Sequence, residues 1–253
     1  MFKKCLSIAL MSFVLIGCAD TNKEPIYVND MQISDPWENY NRTIFKFNDA
    51  LDQAILKPAA QGYQFILPDF AEVGVRNVFR NLRSPLDFGN QLLQGDGEGA
   101  LEILTRAMIN TSFGVLGFVD LAEDAGIPYE REDFGQTLAV WGVDYGPYIV
   151  VPVFGPGSLR DHLANAAEGY VDPVRLYLLN TDEETVFYIL RGVDVVSTRA
   201  ELMDVLSDLK ESSIDYYAAV RSSYYQNREA LIHDKDVESE PMPDVPQYDD
   251  TEL

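Results

Sequence analysis

Hydrophobic positions in this chain recur mostly at intervals of three and four. Trp37, Tyr40, Ile44, Phe47, Leu51 and Ile55 make one apolar stripe on a helix. Asp35 and Pro36 supply a cap and a first-turn proline for it, with Glu38 three residues past the cap. Pro58 is expected to end it. Pro68 opens a second helix to about Leu82, and Ser84-Pro85 a third to about Gln94. After the Gly95-Asp96-Gly97 loop, Leu101, Leu104 and Met108 mark one face of the next helix. Phe113 to Leu121 is apolar and carries Gly114 and Gly117. Asp133 to Trp141 reads as a further helix, and Ser158 and Asp172 stand as caps of two more. Thr185 to Val196 is strongly apolar, with Gly192 near its middle. Ile214, Tyr217, Val220, Tyr224 and Leu231 give a last amphipathic helix. One run, Tyr148 to Val151, is β-like. Pro147 and Pro152 confine it, so an extended connector is expected rather than a sheet strand. The fold class is therefore all-α, built of many short helices. Such helices are marginal alone in water, so a core or a lipid surface must hold them.

The first residues change that picture. A basic start, Met1-Phe2-Lys3-Lys4, precedes an apolar stretch from Cys5 to Ile16 and the string Leu15-Ile16-Gly17-Cys18. That is the layout of a secretory signal with a lipoprotein-type cleavage site. Residues 1–17 are expected to be removed, leaving Cys18 as the acylated first residue. Two or more acyl chains hold a protein stably on a membrane. Ala19 follows Cys18. In Gram-negative lipoproteins an Asp there retains the protein at the inner membrane, so Ala points to the outer one. No mature segment has the 18 or more apolar residues of a spanning helix. The expected organisation is a lipidated tether over 18–33, a helical domain over 34–232 and a disordered acidic tail over 233–253. Cys5 leaves with the signal and Cys18 is acylated, so the mature chain has no cysteine pair for a disulfide.

The net charge of −22 excludes nucleic acid as a partner and leaves no polybasic grip on anionic lipid. Candidate chemistry is sparse. His162 has only Ser158 as a nearby nucleophile, and Gly155 to Leu159 lacks the glycine that a nucleophile elbow needs after Leu159. No Cys or His cluster has metal-ligand spacing, and Gly95 to Gly99 is not a phosphate-binding loop. Neither enzyme activity nor a cofactor is expected. Tyr216, Tyr217, Tyr224 and Tyr225 fit an interfacial belt or a helix with one buried and one wet face. The residues favour a lipid-handling or scaffolding role.

Several strings in order carry a resemblance. They include Asp35-Pro36-Trp37-Glu38 with Asn41-Arg42, Phe45-Lys46-Phe47-Asn48, Lys57-Pro58-Ala59, and Asn77 to Leu82. Leu92-Leu93-Gln94-Gly95, Phe134-Gly135-Gln136-Thr137-Leu138, Tyr145-Gly146-Pro147-Tyr148, Leu159-Arg160-Asp161, Thr198-Arg199-Ala200 and Tyr224-Tyr225-Gln226 follow. Over about residues 33 to 232 the chain resembles the MlaA (VacJ) family of outer-membrane lipoproteins. The resemblance implies a ring of short amphipathic helices lying in the inner leaflet of the outer membrane around an amphipathic channel. It implies that phospholipids astray in the outer leaflet pass through that channel to a soluble periplasmic phospholipid-binding protein, with an inner-membrane transporter beyond. It also implies a trimeric porin as membrane partner, and maintenance of lipid asymmetry as the outcome. The alternative is a scaffold lipoprotein that moves no lipid. The family's helical hairpin before the Thr-Arg-Ala string maps to about Leu178 to Val196. Phe187, Ile189, Leu190, Val193 and Val195 are its candidate apolar contacts, and Gly192 its flexible point.

Overall fold

A computed structural model of the chain describes residues 26–28 and 31–233. Two short antiparallel strands, β1 (Ile26–Val28) and β2 (Met31–Ile33), pair within the stretch read as a tether. Helix α1 (Glu38–Leu51) runs through a π-helical turn (Asp52–Leu56) into α2 (Lys57–Ile66). Pro58 therefore does not end the first helix. It lies in the opening turn of α2, where its missing N–H costs little. Asp35 is no cap either: α1 starts at Glu38 without a side-chain cap.

Helix α3 (Asp69–Gln94) is a single 26-residue element with Pro85 inside it. The expected break at Ser84-Pro85 is absent. Ser84 turns its hydroxyl back onto the Arg80 carbonyl at 3.4 Å instead of capping a new helix. Packing along α4 (Gly97–Ser112) holds the two halves of α3 together. Gly95 ends α3 with a left-handed φ of 87°, and Asp96 then caps α4 through bonds from the Glu98 and Gly99 amides. The short α5 (Leu121–Asp124) and α6 (Phe134–Val140) follow, capped by Asp120 and Asp133.

Tyr148 to Val151 is a strand, not a connector. As β3 it pairs antiparallel with β4 (Gly155–Ser158), Tyr148 opposite Ser158. The flanking prolines limit its length without preventing a two-stranded hairpin. Its side chains Tyr148, Ile149 and Val150 are buried. Helix α7 (Leu159–Val171) and α8 (Pro173–Asn180) carry the expected caps, with the Ser158 hydroxyl on the Asp161 amide and Asp172 on the Val174 amide. A tight turn leads into α9 (Glu184–Glu201), and α10 (Met203–Ser212) and α11 (Tyr216–Ile232) end the fold.

The apolar core is small. Ile33, Tyr148, Val150, Tyr217 and Tyr225 form it, edged by Ile44, Phe45, Tyr145 and Tyr224. The rings meet edge-on, as for Phe45 and Tyr217 at 5.5 Å and Tyr145 and Tyr225 at 5.2 Å. This answers one question left by the terminal tyrosines: Tyr217 and Tyr225 face the core. Five helices outside this core close a circuit: α3 packs on α6, α6 on α7, α7 on α8, α8 on α9, and α9 back on α3. No helix among the described residues is long and apolar enough to cross a membrane.

Candidate functional site

Helix α3 sets the site. Asp69, Glu72, Arg76, Arg80, Arg83, Asp87, Asn90 and Gln94 stand three or four residues apart, so they share one side of it. Val75, Val78, Leu82, Leu86 and Leu93 form an apolar row roughly a quarter-turn round from it. In a water-soluble domain the apolar side would turn inward. Over residues 87–91 the polar one does here. Asp87, Asn90 and the adjacent Gln91 are buried, whereas Leu92 and Leu93 are about half exposed.

The polar side engages the other helices of the circuit. Arg83 donates to Asp87 at 2.9 Å, to the Glu132 carbonyl at 2.7 Å and to Glu168 on α7 at 3.2 Å. Asn90 donates to Glu168 at 2.9 Å and accepts from Thr137 on α6 at 2.9 Å. Gln94 donates to Glu132 at 2.6 Å. Nearer its start, α3 reaches α9, where Arg76 and Arg80 approach one oxygen of Glu201 at 3.2 and 3.7 Å. Buried carboxylates are costly unless paired. Burial pushes Asp87 up to about 7 despite Arg83 beside it. Burial also acts on Asp133, but two hydrogen bonds from Arg228, at 2.6 and 3.0 Å, override it and hold this carboxyl down at about 2.

A second polar cluster joins the π-helical turn to the Thr-Arg-Ala string. Arg199 grips Asp52 with two bonds, at 2.6 and 3.0 Å. Lys210 meets Asp49 at 2.7 Å. Asp52, Arg199 and Lys210, with Lys57, Ser207, Glu211 and Tyr216, line a small open pocket between α2, α9, α10 and α11. A third joins Asp35 on one carboxylate to Asn41, Tyr217 and Arg221.

The exterior is the complement. Phe65 is 90% exposed and Phe70 71%, at the corner between α2 and α3. Phe113, Val115 and Leu116 project from the turn after α4, and Val153 and Phe154 from the β3–β4 turn. Val115, Leu116 and Val153 have φ of 55°, 59° and 71°, a strained conformation for side chains of this shape. On α4 the stripe Leu101, Leu104 and Met108 points outward, while Ala100, Ile103, Arg106 and Asn110 are buried. Arg106 and Asn110 share the Asp120 carboxylate at 2.6 and 2.8 Å.

The stretch 178–196 expected as the hairpin holds the end of α8, the turn at residues 181–183 and most of α9; the two helices pair over 173–201. From residue 169 to 196 no side chain is buried. Phe187 and Leu190 are half-buried; Ile189, Gly192, Val193 and Val195 are exposed. Helical rotation separates them further. Ile189 and Val193 lie beside Val186, and Phe187 lies opposite with Arg191, Asp194 and Thr198. The six candidates thus sit on one element but not on one face. The expected acylation site, Cys18, and residues 234–253 of the expected acidic tail lie outside the described residues. Among the described residues no group of His, Cys, Asp and Glu has metal-site geometry. His162 hydrogen-bonds the Ile149 carbonyl at 3.2 Å, and Ser158 serves as a cap.

The α3 polar stripe is the element that the sequence reading missed. Its spacing was there to see, but taking Ser84-Pro85 as a helix start cut the pattern in two.

Comparison with known proteins fits this geometry. A family model described as MlaA lipoprotein matches residues 33–231. The intermembrane phospholipid transport system lipoprotein MlaA of Escherichia coli K12 is 33% identical over 248 residues, 96% of this chain and 94% of that protein. The protein of the same name from Haemophilus influenzae is 34% identical over 254 residues, 96% of each. A Rickettsia felis protein of no described role is 34% identical over 203 residues, 80% of this chain and 79% of its own. A solved chain from work on the structural basis for maintenance of bacterial outer membrane lipid asymmetry superposes with a TM-score of 0.69 at 33% identity. It covers 79% of this chain and 99% of its own.

Proposed function

Because the chain belongs to the MlaA lipoprotein family, we propose that it removes mislocalised phospholipids from the outer leaflet of the outer membrane and so keeps that membrane asymmetric. The family is a lipid-transport component and not an enzyme. The observation that carries the reading is the inverted distribution of polarity. Charged and amide side chains of α3 turn inward to α6, α7 and α9, while phenylalanines and leucines of α2, α3 and α4 face outward. A body lying in one leaflet needs that exterior, since its surroundings are acyl chains. A polar interior suits a headgroup, and an apolar flank beside it suits the tails.

In this reading Cys18 carries the acyl anchor on the periplasmic-facing leaflet. The circuit of helices surrounds the lipid's route, and the α8–α9 hairpin forms its movable side, with Ile189 and Val193 against the tails. A soluble periplasmic carrier takes the lipid, and a trimeric porin holds the lipoprotein beside the outer leaflet. No nucleotide is used by this component. Deleting the gene tests the reading: phospholipid should accumulate in the outer leaflet and detergent sensitivity should rise. Unchanged lipid distribution would leave only a scaffold. Mapping photo-crosslinks from Ile189 and Phe187 to bound lipid tests the hairpin assignment separately.

A further inference from the structure

We infer that Arg76 and Arg80 of α3, with Glu201 of α9 between them, form a subsite for a phosphodiester anion. The inference rests on the lipid-transport reading and names where the headgroup is held. Two guanidinium groups converge on a single carboxylate oxygen, at 3.2 and 3.7 Å. Two guanidinium groups thus face one side of a single carboxylate, inside a chain whose net charge is −22. Donors are in excess: the Arg76 Nε is enclosed and has no acceptor. The enclosed Arg160 Nη2 and Arg228 Nε lack acceptors as well, but the other interior arginines hold carboxylates of their own. Arg199 and Arg228 each hold a carboxylate with two bonds, and Arg83 is divided among Asp87, Glu168 and the Glu132 carbonyl. Arg80 lies over the Tyr129 ring at 4.8 Å, which fixes the plane of its guanidinium. Both side chains remain about one-third exposed, so an incoming anion can reach them. The planar forks match the paired oxygens of a phosphodiester, and Glu201 is the internal anion that such a group would displace.

The same chemistry would accept a lipid headgroup or free phosphate, and the test separates them. Full-length acylated protein in detergent micelles is titrated calorimetrically with monomeric dihexanoyl phosphatidylglycerol, with dihexanoylglycerol, which lacks the phosphate, and with inorganic phosphate. In Arg76→Gln/Arg80→Gln, affinity for the phosphatidylglycerol should fall at least tenfold while dihexanoylglycerol binds as to wild type. Glu201→Gln should raise phosphatidylglycerol affinity at least threefold, a gain that loss of folding cannot mimic. Unchanged affinity in the double variant, or no gain in Glu201→Gln, overturns the subsite. Displacement of the short-chain lipid by equimolar inorganic phosphate overturns the headgroup as its ligand. Equal binding of both lipids by every form sinks the arginine subsite alone, and binding of neither lipid by wild type sinks the transport reading with it.

Discussion

At the scale of single residues, polar side chains do work that apolar ones do in most domains. Asn41 is fully buried and ties three elements: its amide donates to Asp35 and to the Tyr148 carbonyl, and its oxygen accepts from the Val150 amide. Asn41→Ala should cost about 2–4 kcal/mol, because those groups lose their partners inside the protein. Chemical unfolding in detergent would measure it. Asp87 gives a pH signature. Its folded pKa is raised, to about 7, so its favourable contribution is complete below its unfolded value near 4 and disappears as pH climbs through 7. Asp87→Asn should therefore gain on wild type in melting temperature between pH 5 and pH 8, by a free energy of up to about 3 kcal/mol. An identical difference at both pH values would contradict the burial argument. Asp133 behaves oppositely. Its depressed pKa means its support persists above pH 4 and is lost only as pH drops through about 2. Caps were legible in the sequence at this scale, since Asp133, Ser158 and Asp172 need only local amides. Asp35 was not, because its partners Tyr217 and Arg221 are remote in sequence and claim the carboxylate first.

At the scale of elements, the fold depends on close approaches that small residues permit. A Cβ on Gly74 would lie 2.2 Å from the Phe118 ring, where α3 meets the turn after α4. Gly74→Ala should destabilise by about 1–3 kcal/mol, and Phe118→Ala in the same chain should recover part of that loss. Thermal melts of the two single variants and the double one decide it. Element type was legible from periodicity nearly everywhere, but the boundaries misled at Pro58 and Pro85. Proline is a local signal, and tertiary packing along α4 outweighs the one hydrogen bond that Pro85 removes. The β3 strand was missed for a related reason. Its partner is a glycine- and proline-bearing segment, Gly155 to Ser158, with no strand pattern of its own.

At the scale of the whole molecule, periodicity gave amphipathic helices but not the direction in which they face. A stripe such as Leu101, Leu104 and Met108 reads alike whether it meets a core or a bilayer. The structure supplies the direction, and it is outward. Binding to lipid should follow from those side chains as well as from the anchor. Unacylated Cys18→Ser protein should partition onto phosphatidylethanolamine–phosphatidylglycerol vesicles, and Phe65→Asp with Phe70→Asp should weaken that partition at least tenfold, since each phenylalanine contributes about 1.5–3 kcal/mol on burial. Vesicle flotation reads this directly; equal flotation of both forms would show that the corner does not insert. The same corner has a consequence for the protein's history in the cell. Phenylalanines this naked cannot cross an aqueous compartment unattended without clumping. Any aqueous passage is therefore expected to need a shield over those rings until a bilayer takes its place.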